Sequence, residues 1–308
     1  MKLKRTIFQC GVVVLIAVSP VYGQGCSDAG FCTIDALKSP DGDSIQAEKS
    51  LQLKTGITVG KADHNITILA SYFEYNRQLN KHWGYDMKIT QLAQLTDSIK
   101  TNGLGDLFLT GTYKTRSKIA FTFGVKLPLA DGTKERNGLP LPNDFQSSLG
   151  TIDFIGGISK EWKHFRFTAA IQQPFVQEKN RFSPELYDSL SVFSTFQSTN
   201  EFRRRGDVLA RVNYAWNVRQ RWKLTPGLLA IYHLGEDTYV DEFNSRKPIS
   251  GSAGLTLNGT LFAQYSINKS HKLELSVGTP FVVRENRPDG LTRSFVATLE
   301  WKWNLKGK

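Results

Sequence analysis

The stretch Phe295-Val296-Ala297-Thr298-Leu299-Glu300-Trp301-Lys302-Trp303 decides the fold. Phe295, Ala297, Leu299, Trp301 and Trp303 form one row; Val296, Thr298, Glu300 and Lys302 form the other. Successive side chains of a strand point to opposite faces, so this stretch is a strand with a greasy face and a polar face. The same period of two runs through Ile119, Phe121, Phe123, Val125 and Leu127, alternating with Ala120, Thr122, Gly124 and Lys126. It recurs in Leu51, Leu53, Thr55, Ile57 and Val59, and again in Leu273, Leu275, Val277, Thr279, Phe281 and Val283. No long segment repeats at the helical period.

Working outward gives about twelve such segments, near 46–60, 64–77, 83–97, 103–115, 117–130, 149–162, 164–178, 201–217, 220–235, 249–267, 270–284 and 292–304. Many outrun the roughly 5–6 residues of an ordinary globular strand. They suit the about 9–11 residues a tilted strand needs to cross a bilayer. The connections alternate. Short turns fall at 76–82, 115–118, 163–164, 218–221 and 268–271; longer links fall at 96–103, 130–149, 177–201, 235–249 and 284–291. One link on the longer side, 61–65, is short. Trp83, Trp162, Trp216, Trp222, Trp301 and Trp303, with Tyr85 and Tyr214, sit beside the short turns or near the C-terminus. An indole or phenol prefers a boundary between hydrocarbon and water, so these residues read as a girdle. In hydrocarbon every backbone donor needs a partner, and only closure removes the unpaired edges. The expected fold is all-β: a transmembrane antiparallel β-barrel of about 12 strands with long extracellular loops and short periplasmic turns.

Composition agrees. The 308 residues are 11% aromatic and 22% charged, with 26 Gly and 2 Met. That is too polar for a bundle of membrane helices and too aromatic for a disordered chain. Lys2, Lys4 and Arg5, the apolar run 7–18 and Val21-Tyr22-Gly23 read as an export signal over 1–23. Its removal would take Cys10 and three cations, lowering the formal charge from +11 to about +8. Residues 24–42 are expected to be an N-terminal periplasmic segment, and 43–308 the outer-membrane barrel. Cys26 and Cys32 favour a local disulfide in an exported chain, since two thiols supply only half a tetrahedral metal shell.

If the apolar rows meet lipid, the lumen receives Lys54, Lys88, Lys114, Lys126, Glu161, Arg166, Arg211, Lys223, Glu274, Glu300 and Lys302. A charge turned to lipid at mid-depth costs roughly 2–4 kcal/mol, which drives these side chains inward. The mixture is biased to cations and would either brace the barrel or favour anionic solutes. Leu229 and Ile231 make an inward row that is unusually apolar. The 177–201 loop is rich in large apolar residues, with Phe182, Leu186, Tyr187, Phe193 and Phe196 as candidates for a lid or plug. Arg203-Arg204-Arg205 could meet lipid phosphates. Asp106 and Asp207 read as structural junction residues. The five His (His64, His82, His164, His233, His271) read as surface turn residues, with no Ser-His pairing or metal signature. No catalytic residue, metal or cofactor is expected.

The motifs also carry a resemblance. Gly103-Leu104-Gly105-Asp106 opens one segment, Lys126-Leu127-Pro128-Leu129-Ala130-Asp131 closes the next, and Gly150-Thr151-Ile152-Asp153 opens another. Over 103–175 this order resembles the outer-membrane barrels of the phenol-degradation meta-pathway family, related to the fatty-acid and toluene transporter group. Leu129-Ala130 departs from that family's usual Thr-Gly pair. The resemblance implies a barrel passing small, often hydrophobic molecules. Taken together, the sequence leads to a TonB-independent outer-membrane channel or transporter for small, hydrophobic or anionic molecules. The alternatives are a non-conducting structural or secretion-accessory barrel and an outer-membrane hydrolase. The expected partners are outer-membrane lipids, a small-molecule solute and the barrel-assembly machinery through the C-terminal strand; no nucleic acid is expected. The expected location is the outer membrane of a Gram-negative bacterium.

Overall fold

The structure is a computed structural model, and it describes residues 50–177, 179–289 and 295–306 together with Ile34 and Leu37. The expected signal peptide and the Cys26–Cys32 pair lie outside the described residues. Twelve long strands make the body: β1 Ser50–Lys61, β2 Thr67–Gln78, β3 Trp83–Leu95, β4 Lys100–Lys114, β5 Ile119–Pro128, β6 Ile152–Trp162, β7 Phe165–Val176, β8 Asp207–Tyr214, β9 Trp222–His233, β10 Gly254–Ser266, β11 His271–Val282 and β12 Phe295–Lys306. A short piece, Trp216–Arg219, continues β8 along β9. Every strand pairs antiparallel with its neighbours in the chain. β1 pairs with β12 from Ser50↔Lys306 to Lys61↔Phe295, so the sheet closes with no free edge.

The rows sort themselves by chemistry. Ile57 is 68% exposed and its register partner Leu299 56% exposed, while Lys54 beside them is 1% exposed. Phe123, Phe167, Phe175 and Leu228 are likewise exposed, and Thr122, Thr168, Gln172 and Asn258 are buried. A water-soluble barrel sorts its rows the other way. Here the inside is polar and the outside apolar, as a hydrocarbon solvent demands. All six Trp are exposed near the ends of strands. Trp301 and Trp303 stack in parallel and flank the His271 ring.

At the girdle end the links are 79–82, 115–118, 163–164, 220–221 and 267–270. At the other end they are 62–66, 96–99, 129–151, 177–206, 234–253 and 283–294. The 96–99 link is shorter than the sequence suggests, because β4 begins at Lys100 rather than 103. Gly103 and Gly105 lie within the strand. A register shift between Ile89 and Gln91 lets the Thr90 hydroxyl accept the Asp106 N–H at 2.8 Å. One glycine inside the barrel is required by packing. A Cβ on Gly56 would fall 2.4 Å from the Tyr72 ring, which lies across that strand.

Candidate functional site: the barrel interior and its mouths

The seam strands hold a compact group of ions. Lys54 Nζ lies 3.2 Å from Glu74, and Lys302 Nζ lies 2.9 Å from Glu274 and 3.3 Å from Glu300. The Tyr72 hydroxyl donates to Glu300, and Lys88 Nζ sits 4.1 Å above the Tyr72 ring. These groups come from β1, β2, β3, β11 and β12, so the closing seam is braced from inside. A buried ion is costly unless paired, and here each charge has an opposite neighbour or a π face. Lys114 Nζ is 3.2 Å from the Gln78 side-chain oxygen, nearer the girdle end.

A second group lies on β4, β5 and β6. Lys126 is fully buried; its Nζ donates to Thr151 Oγ1 at 2.7 Å and sits 3.3 Å from Asp153 and 3.9 Å from Asp106. Ser148 Oγ donates to Asp106 at 2.6 Å. The three motifs that open and close these strands thus converge on one buried lysine.

The third group corrects two expectations. The sequence places Arg204 at a lipid surface and His233 at a surface turn; in the structure they are 3% and 1% exposed. Arg204 donates to Asp207 and faces Asp289 at 3.9 Å. Arg284 donates to Asp289 at 3.1 Å and to the Ser252 carbonyl at 2.7 Å. His233 has Nδ1 at 2.7 Å from Asp207 and Nε2 at 2.8 Å from Asp237. Both ring nitrogens face carboxylate oxygens, and only the imidazolium donates from both. With it, three cations (Arg204, His233, Arg284) balance three carboxylates (Asp207, Asp237, Asp289). Burial opposes the Arg204 charge, and the surrounding carboxylates outweigh it, holding the guanidinium above its ordinary value. This cluster ties the 177–206, 234–253 and 283–294 links together. The signal for His233 is its place in the interior row of β9, with Thr225, Leu229 and Ile231; Asp237 follows four residues on, and Asp207 comes from the neighbouring strand β8.

The long links pack on one another. Phe182, Phe193 and Phe196 are nearly fully buried and join Ile66, Ile68, Ile99, Leu141 and Phe145, with Tyr187 against them. Tyr187 donates to the Pro140 carbonyl at 2.7 Å. Leu186 is 50% exposed and stands outside this cluster. Asn143 donates to the Pro288 carbonyl at 3.0 Å, joining the 129–151 and 283–294 links.

Within the barrel, Phe108, Ile155, Ala170, Leu209 and Leu229, with Ile231 beside them, form an apolar girth. Ile34 and Leu37, expected ahead of the barrel, are packed into it at 3% and 0% exposure. Arg211 Nη1 donates to the Leu37 carbonyl at 2.8 Å. Toward the girdle end a cavity of about 560 Å³ opens, lined by Glu161, Lys163, His164, Arg219, Arg221 and Lys223 among others. Arg166 lies near its rim, 3.8 Å from Glu161.

A closed twelve-strand barrel with an apolar outer belt and a charged interior is an outer-membrane β-barrel. No family model matches the chain, and no curated protein sequence matches it. Solved barrels do align. The NanC porin covers 84% of this chain and all of its own, at 9% identity and a TM-score of 0.45. The CymD monoaromatic hydrocarbon channel covers 85% of this chain and 90% of its own, at 8% identity and 0.45. A Pseudomonas aeruginosa FadL homologue covers 84% and 90%, at 9% identity and 0.40. These are likenesses of architecture alone.

Proposed function

We propose that this chain is a TonB-independent channel for small molecules in the outer membrane of a Gram-negative bacterium. The observation that carries the reading is the reversal of polarity: charged and amide side chains fill the inner rows of a closed barrel whose outer rows are apolar. Polar inner walls let a solute exchange its hydration for side-chain contacts during passage. Twelve strands is far below the roughly 22 of the plugged outer-membrane transporters. The cavity at the girdle end favours anions, with Lys163, Arg219, Arg221 and Lys223 against Glu161. The girth of Phe108, Ile155, Leu209 and Leu229 suits the apolar part of a solute. The motif resemblance over 103–175 agrees with small, partly hydrophobic cargo.

In this reading the Trp-rich end faces the periplasm, and the long links face outward as a lid built on Phe182, Phe193 and Phe196. The interior charges line the path. Residues 1–23 are a cleaved export signal, and Cys26 and Cys32 form a disulfide in the segment before the barrel. No hydrolytic role is assigned.

Single-channel recording on the purified full chain in planar bilayers tests the function. Discrete conductance steps with Cl⁻ favoured over K⁺ are expected. A silent barrel that also releases no solute from loaded vesicles would replace the channel with a structural or secretion-accessory role. Thiol titration of the mature protein should find no reactive thiol before reduction; two would refute the disulfide.

A further inference from the structure

The interior row of β8 runs Asp207, Leu209, Arg211, Asn213 and changes character at Arg211. On one side of Arg211 lies Leu209, paired across the ladder with Ile231, and Leu229 stands directly opposite Arg211. On the other lies Asn213, opposite Arg166 on β7. Beyond Asn213 the β8 continuation and the β8–β9 turn reach the basic cavity through Asn217, Arg219 and Arg221. A buried guanidinium therefore stands where an apolar girth meets a cationic vestibule. Leu37 occupies that junction. Its side chain fills the girth, and its carbonyl oxygen takes a hydrogen bond from Arg211. The barrel wall leaves room for it: a Cβ on Gly157 would lie 2.7 Å from Leu37 Cδ2.

The atoms of Leu37 define what else would fit. A carbonyl oxygen on a guanidinium stands in for a carboxylate oxygen, which would bind the same fork more strongly because it is charged. An isobutyl group among Phe108, Ile155 and Leu229 stands in for a compact hydrocarbon body. The stretch Ile34-Asp35-Ala36-Leu37 itself combines apolar and anionic residues. We propose that Arg211, with Phe108, Ile155, Leu209 and Leu229, is a binding site for a small organic carboxylate with an apolar body, and that Leu37 of the N-terminal segment is its built-in competitor. The vestibule cations concentrate such anions at the girdle-end mouth, and Arg211 selects them at the girth. This deepens the channel reading and rests on it for the direction of traffic. The site itself exists whether or not the barrel conducts.

Benzoate is a suitable probe: one carboxylate on one compact apolar ring. Titration calorimetry of benzoate into the full chain in detergent reads the site, and planar-bilayer current reads the channel. Leu37→Gly removes the isobutyl group beside Arg211 and weakens the competitor, so it is expected to tighten benzoate binding about tenfold. Arg211→Gln should abolish binding in both the native and the Leu37→Gly backgrounds, while Arg211→Lys should retain part of it. Arg221→Gln, at the exposed turn, should slow association and leave dissociation unchanged. Folding is checked for each variant by the shift between heated and unheated bands on a denaturing gel. Equal benzoate affinity in the Arg211→Gln and native barrels would overturn the site, and so would a Leu37→Gly barrel that binds no tighter. Benzoate binding without any conductance would instead sink the channel reading and leave the site standing.

Discussion

Lys126 shows what a single buried charge does in this barrel. Its ammonium is fully enclosed among Asp153, Asp106 and Thr151, each on a neighbouring strand or its approach. Truncating one partner of such a group leaves the others buried and uncompensated, at a cost of roughly 3–5 kcal/mol. Lys126→Met should therefore lower the denaturant midpoint of the refolded barrel sharply. Asp131→Asn, at an exposed loop position, should stay within about 0.5 kcal/mol. A midpoint unmoved by Lys126→Met would mean that the group adds no stability. Several of these residues can be read in the sequence by alternation alone: Lys54, Lys126, Glu300 and Lys302 all fall on polar rows. Their partners cannot. The pairing of Tyr72 with Glu300 joins segments far apart in sequence, and even on the consecutive strands β11 and β12 periodicity holds no information on the register that sets Lys302 beside Glu274. His233 escapes sequence reading for the same reason. A histidine at a strand end looks solvated until the ladder sets Asp207 opposite it and the following link folds Asp237 back over it.

At the scale of elements, the strands are legible in the sequence and the links are not. Most strand boundaries fall within four residues of expectation because the apolar row must match the belt; β8 and β10 start later than the expected 201 and 249, at Asp207 and Gly254, and β4 starts early because two glycines inside a strand read as a junction. The links hold together through contacts no local pattern encodes: Asn143 to Pro288, Arg204 to Asp289, Phe182 to Phe196. The short turn Asn143–Phe145 carries a pH-sensitive group. Burial pushes the Asp144 carboxyl up to about 7, and Asp63 and Asp289 push the same way against the pull of Arg287. A carboxyl whose folded value is raised holds its proton more tightly folded than unfolded. Its contribution to stability is complete below the ordinary carboxylate range and is lost as pH rises through about 7. The link cluster should accordingly be more resistant to protease at pH 5.5 than at pH 8. Comparison with Asp144→Asn removes the protease's own pH profile, because the amide does not titrate. The ratio of cleavage rates, native over Asp144→Asn, should rise between the two conditions; a constant ratio would remove Asp144 from the account.

At the scale of the whole molecule, closure and solvent are one question. The β1–β12 ladder removes the last free edge, and the same two strands present Ile57 and Leu299 to the outside near mid-strand. An isoleucine 68% exposed has opposite meanings in two solvents. If water surrounds the barrel, Ile57→Arg touches nothing and improves solubility, with stability changed by less than about 0.5 kcal/mol. If hydrocarbon surrounds it, the guanidinium must be dragged toward an interface, at roughly 2–4 kcal/mol near the midplane and far less toward either rim. Equilibrium unfolding from lipid vesicles measures the difference directly. Ile57→Arg should lower stability by the larger amount, and Leu51→Arg, six positions nearer the girdle end, by the smaller. The gradient matters more than either value, because a local packing defect gives no dependence on depth whereas a bilayer imposes one. Equal small effects at both positions would place water around the barrel. The inner charges would then no longer mark a path across a membrane, whatever the sheet's topology.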